Sequence, residues 1–189
     1  VMQATATVSP TVDTHLAGGI ITAGSISLLS QHNHDTANPL GGHGATATSY
    51  AAGGGIFDGK GAIPTANANA SVDTYVGTGA VLNAGTGNIS IRSFASNNAT
   101  AVADAESYGA LGVGASIAHA TASGTTKARM DGGVHGATTA DAGAGNLTLL
   151  SKVVNSADAR AEATGGGLIE VTVPESNAPV SPTVVTRIG

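Results

Sequence analysis

His32, His34 and Asp35 lie within four residues of one another, with His43 a short way on. On a strand, alternate positions would put His32 and His34 on one face, and imidazoles suit zinc or copper. The same stretch carries Asn33, Thr36, Asn38, Pro39 and the Gly41-Gly42 pair, which is the composition of a solvated loop. No other part of the chain repeats the cluster, so a loop is expected and no metal ligand is assigned.

Carboxylates raise a second possibility. Asp104 and Glu106 would share one strand face, with Asp158 and Glu162 further on. Glycoside hydrolysis needs two carboxylates about 5–10 Å apart. Such sites also need converging cations and aromatic platforms, and this chain has seven Lys and Arg and 3% aromatics. Asp58-Gly-Lys-Gly61 and Asp131-Gly-Gly133 lack the ligand ladder of a calcium loop and read as turns. There is no Gly-x-Ser-x-Gly elbow, and Gly112-Val-Gly114 lacks the lysine and helix of a phosphate loop. No catalytic residue and no cofactor is assigned, and the chain is expected not to be an enzyme.

Two further patterns need placing. Thr5-Ala-Thr7 and Thr46-Ala-Thr48 could belong to the flat threonine ranks of an ice-binding face. The equivalent positions read as Asn67/Asn69, His119/Thr121 and Glu170/Thr172, too irregular for one. Among the sequons, Asn88 and Asn146 recur at a structural anchor, whereas Asn98-Ala-Thr100 falls in a predicted turn and reads as more accessible than those two.

The elements that hold these residues are legible in the composition. The apolar fraction of 41% is mostly Ala and Val, with no Trp and two Phe, so the interior must be thin. Mean hydropathy is +0.17 and net charge only −5, whereas disordered chains pair low hydropathy with high charge. With no Cys, disulfides and thiolate metal sites are excluded. A pI near 5.5 argues against a nucleic-acid partner. The cations are scattered singly, so no polybasic patch is expected, and no apolar run approaches the ~20 residues of a membrane helix. The chain begins at Val1 without a signal peptide and reads as a piece of something longer or a processed product.

Internal repeats organise the chain. VSPTV occurs at 8–12 and again at 180–184. An anchor of Gly followed by alternating apolar residues starts at Gly24, Gly87 and Gly145. Alanine-alternating stretches follow at 44–51, 98–107 and 156–164, then Gly clusters at 53, 109 and 165. Next come TANANAS (65–71), IAHATAS (117–123) and IEVTV (169–173). A closing element passes through Val12, Val72, Thr126 and Val184. Strict alternation is the strand signal, and Gly and Asn mark corners.

These features predict an all-β chain: one continuous parallel β-solenoid over 1–189, built from about three ~57-residue repeats. The units are 12–71, 72–125 and 126–183, with 1–11 ending a preceding unit and 184–189 opening a following one. Each unit is expected to divide into two or three coils of roughly 19–29 residues, giving seven to ten coils and a rod of roughly 35–50 Å. Pro174, Pro179 and Pro182 suggest an edge or protrusion.

The stretch 79–133, with its NAGTGNISI entry, alanine alternation and GALGVGA corner, resembles repeats of filamentous-haemagglutinin-like bacterial adhesins and related autotransporter or two-partner-secreted exoproteins. The resemblance spans nearly the whole chain. It implies a secreted right-handed parallel β-solenoid at the cell surface, acting as a structural or adhesive segment of an extracellular fibre. Its partners would be further copies or continuations of itself, stacked coaxially, and host or matrix glycans or proteins, without membrane insertion. A filament subunit stacking end to end is the alternative expectation. The histidine insertion in the first unit and VTVPESNAPVSP (171–182) in the third depart from the pattern.

Overall fold

Alternating small apolar and polar residues suit a pleat that buries every second side chain. The computed structural model describes residues 1–135 and 144–189; part of the third expected unit, 136–143, lies outside the described residues. Strand makes up 83% of the structure, with no helix among the described residues. The strands are β1 (Met2–Val8), β2 (Thr11–Thr22), β3 (Ile26–His32), β4 (Ala45–Ala68), β5 (Ser71–Asn83), β6 (Asn88–Met130), β7 (Gly133–His135), β8 (Asn146–Gly166), β9 (Ile169–Asn177) and β10 (Val180–Ile188). They pair in parallel in a single curled, solenoid-like sheet.

The register matches the repeat spacing. Val12 pairs with Val72, Val72 with Thr126, and Thr126 with Val184. Ile26 pairs with Ile89 and Ile89 with Leu147. The chain therefore returns to the same place in the sheet after one whole repeat spacing. This corrects the expected division into coils of 19–29 residues and the rod of seven to ten coils. The return arm is four strands deep at the Val12 position, and the spare length goes into width.

The width comes from folding each turn flat. β6 is 43 residues long and doubles back near Gly109. Ser107 Oγ sits 3.2 Å from where a Gly112 side chain would begin, Asn97 Nδ2 sits 3.0 Å from the same point on Gly124, and Ser93 donates to the Lys127 carbonyl. All three pairs are centred on residue 110. A forward arm (88–108) thus lies face to face with a return arm (111–130). At the tip, a side chain on Gly109 would come within 2.4 Å of the Gly55 carbonyl, so only glycine lets successive tips stack.

Near the tip the interior is alanine. Ala47, Ala101 and Ala103 from forward arms meet Ala66, Ala118 and Ala120 from return arms. Side chains this small let the two layers approach closely. Towards the other end the fillers are Leu28, Ile89, Ile91, Leu82 and Met130, so the interior widens away from the tip. Between these zones a polar rank crosses the interior. Ser30 donates to the Asp73 carbonyl at 2.9 Å, Ser93 to that of Lys127, and Ser151 to that of Val185 at 2.7 Å. The same bond recurs at each level of the stack.

The register also revises two alignments. IEVTV (169–173) pairs with Leu111–Ala115, and the partner of IAHATAS is Glu175–Ser181. The rank through Thr5 is Thr65, His119 and Asn177, so threonine persists over two levels only. Pro174 and Pro182 lie in strands that pair with β6 on one side only, as an edge requires.

Candidate functional site

The histidine insertion is a folded flap. Asn33, at φ 48°, turns the chain out of β3, and a tight hairpin returns it. Leu40 N–H donates to the Asn33 carbonyl at 2.8 Å, and Asp35 N–H to that of Asn38 at 2.9 Å. Asp35 Oδ1 accepts from the backbone N–H groups of Asn38 and Ala37, at 2.6 and 2.7 Å, which holds its pKa below the ordinary carboxylate value. Lys152 Nζ donates to the Ala37 carbonyl at 3.2 Å and ties the flap to the next-but-one level of the sheet.

What the flap covers explains its composition. Phe94 and Ser96 alternate with the inward residues of β6 and so face outward, yet both are 1% exposed. His34 lies on Phe94 with ring centroids 5.2 Å apart and 14° between planes. His34 Nδ1 is engaged by the Asp35 carbonyl, and the buried atoms His34 Nε2, Arg92 Nε and Ser96 Oγ have no partner among the described residues. His32 contacts Asn33 Nδ2 at 3.1 Å, and burial lowers its pKa. Among the described residues no group of three or more His, Asp or Glu could hold a metal ion. His32 contacts the turn residue Asn33, His34 packs on Phe94, and Asp35 caps the flap's backbone. Beside the flap, His43, Thr46, Asn98 and Thr100 line an open polar recess of about 230 Å³.

Asn98 corrects the sequon reading. It lies inside β6 rather than in a turn, and its Nδ2 donates to the His43 carbonyl at 3.3 Å. Asn88 and Asn146 are exposed and form a ladder at 3.3 Å.

The cations also differ from expectation. Lys127 and Arg129 line one recess of about 320 Å³ on the outer face of the return arms with Arg187, 58 residues further along the chain. Alternation puts 127 and 129 on one face, and the register puts Arg187 beside Arg129. Most of that charge is spent internally. Arg129 binds Asp73 at 2.7 Å and Asp131 at 3.6 Å, Arg187 binds Asp131 at 2.7 Å, and Arg129 lies 4.5 Å over the Tyr75 ring. Tyr75 stacks in turn on His15 at 4.8 Å. The result is a ladder of ion pairs and rings along the stack.

On the opposite outer face Asp104 pairs in register with Glu162, and Glu106 shares its side. Burial and then the Glu106 and Glu162 charges raise the Asp104 pKa, against the pull of Arg160. Arg160 pairs with Glu162, and Tyr50, the register partner of Asp104, hydrogen-bonds Glu106.

No family model, no curated protein and no solved structure matches this chain.

Proposed function

We propose that the chain is a segment of a right-handed parallel β-solenoid of about three ~57-residue turns. It serves as a stiff structural or adhesive part of an extracellular bacterial surface fibre, and it has no catalytic activity. One observation carries this reading: the serine-to-carbonyl bond at Ser30, Ser93 and Ser151 repeats level after level. A chain that copies its interior polar contacts at each turn is organised for uniform cohesion along an axis. The flap histidines and the return-arm cations are engaged in packing and ladder contacts. Stiffness follows from cross-strand backbone bonding at every turn, and outward ranks supply the contacts.

The reading is tested by electron microscopy of the longer native protein and by limited proteolysis. Rods of constant width that resist proteolysis are expected; collapsed or irregular particles would overturn it. Release of reducing or unsaturated sugars from polysaccharide would overturn the non-catalytic part. A second reading, an end-to-end filament of this chain, is favoured by β2 and β10, each of which pairs with one neighbour only. Filaments growing from the isolated chain would support it.

A further inference from the structure

The contacts of the flap specify two histidine rings in their neutral form. Asn33 Nδ2 is a donor, so the ring nitrogen facing it, His32 Nε2, accepts and carries no proton. On His34 the other nitrogen is engaged. Its Nδ1 faces the Asp35 carbonyl, which only accepts, so Nδ1 carries the proton. That leaves His34 Nε2 bare, buried and without a partner among the described residues. The whole residue is 2% exposed and its ring lies on Phe94. Phe94 belongs to the middle level, with Gln31 and Lys152 as its sheet neighbours.

We propose that the flap is an acid-released cover, closed on Phe94 and Ser96 while His32 and His34 are neutral and lifted when they take up protons. Protonating His32 would set two donors against each other, its own Nε2–H and the Asn33 amide. That conflict falls at the residue that turns the chain out of β3. Protonating His34 would put a charged N–H in a buried place with no acceptor, and an unpaired buried charge is strongly disfavoured. A histidine that is neutral under the closed flap and charges when released leaves closure at full strength above the free imidazole value of about 6.5. Closure then weakens as pH falls below that value.

The charges around the rings favour the same direction, with one exception. Arg92 lies two residues from Phe94 on the same face of β6, and Lys152 on β8 is bound to the flap's Ala37 carbonyl. Both are cations and oppose a further positive charge. Asp35 is the exception, but its Oδ1 is engaged by the N–H groups of Ala37 and Asn38. Those bonds hold its pKa below the ordinary carboxylate value, so its charge stays fixed through the imidazole range. Burial lowers the pKa of His32. His43 is exposed at the far end of the flap, in the open recess. Lifting the flap uncovers Phe94 and Ser96, each 1% exposed when it is closed. An aromatic ring and the neighbouring Arg92 then become available on the outer face of the rod in acid. The proposal is independent of whether the rod is adhesive.

The test is thiol labelling of the full chain, which has no Cys of its own. Ser96→Cys places a thiol under the flap, and Ser116→Cys places one in the interior on the return arm, away from it. Each rate is divided by that of the same variant unfolded in urea at the same pH, which removes the pH dependence of the thiol itself. The normalised rate at Ser96→Cys should rise at least tenfold from about pH 7 to about pH 5, as one or two imidazoles charge. The rate at Ser116→Cys should not rise. His34→Phe keeps a ring over Phe94 and His32→Gln keeps an acceptor, and neither new side chain titrates. Each should remove part of the response and the pair nearly all of it, while His43→Gln should leave it intact. Equal rates at the two pH values, a full response in the double variant, or a parallel rise at Ser116→Cys would overturn the proposal.

Discussion

Ser93 Oγ on the forward arm lies 2.8 Å from Thr74 Oγ1 on the return arm, inside the molecule. Thr74 in turn donates to the Arg92 carbonyl at 2.9 Å, and Ser93 also contacts the Lys127 carbonyl. Two short side chains thus join both layers and two levels of the stack. Ser93→Ala would leave the Lys127 carbonyl without this donor in a dry interior. A loss of about 1–3 kcal/mol is expected. Urea unfolding should show a lower midpoint at an unchanged slope; an unaltered midpoint would mean the bond is redundant.

Alanine sets the layer separation near the tip. Ala101 is fully buried between alanines of the adjacent strands and of the facing arm. Ala101→Leu adds three carbons where facing layers interdigitate. The cost should be about 1–3 kcal/mol or more, because a continuous sheet cannot bow at one level alone. Thr100→Val, on the outer face of the same strand, is the control, with a change expected within about 0.5 kcal/mol. Equal midpoints for the two variants would refute the close packing.

Gly124 and Gly19 separate two reasons for glycine. Both have positive φ, 122° and 96°. A side chain on Gly124 would also meet the Ala70 carbonyl oxygen at 2.4 Å, whereas nothing lies within 4 Å of one on Gly19. Gly19→Ala should cost about 1–2 kcal/mol from backbone conformation. Gly124→Ala adds a clash with backbone and should cost about 2–5 kcal/mol in all. Thermal melts of the pair would test this, and equal costs would count against the packing at Gly124.

Two carboxylates should titrate with opposite signs. Burial pushes Asp58 upward, but hydrogen bonds from Lys60 and Ser107 outweigh it, and its pKa is lowered on balance. A lowered folded-state pKa gives stability that is present above the ordinary carboxylate value and lost as pH falls through the folded value. Asp104 is raised, so its ionisation opposes folding at neutral pH and acidification relieves that cost. Asp58→Asn should therefore flatten the acid limb of stability against pH. Asp104→Asn should stabilise slightly at neutral pH, with the gain fading below about pH 4. Denaturant melts from pH 3 to 7 would distinguish them, and the same sign for both would contradict the assignments.

The strand class and the repeat spacing were legible because both are local or additive. Alternation at Ile89 and Ile91 follows from the pleat, and the landmarks at Val12, Val72, Thr126 and Val184 recur at the spacings used by the sheet. The number of coils per repeat was not legible. A strand that continues and a strand that turns a corner share the same alternation, and only the glycine stacking at Gly55 and Gly109 marks the fold-back. The flap has the composition of a solvated loop, and nothing local distinguishes a histidine in water from one lying on Phe94.

The sequence by itself determined the β character, the thin small-residue interior and the period, since these depend on side-chain volume and on order along the chain. Tertiary structure decided which residues meet. It folded each turn into two facing arms centred on residue 110, drew Lys127, Arg129 and Arg187 to one recess, and set Phe57, Leu111 and Ile169 in one rank across three levels. Those relations join residues 54 to 60 positions apart or on opposite arms. The physical reason is that such contacts depend on where the chain turns and in what register its levels stack, which no local pattern encodes.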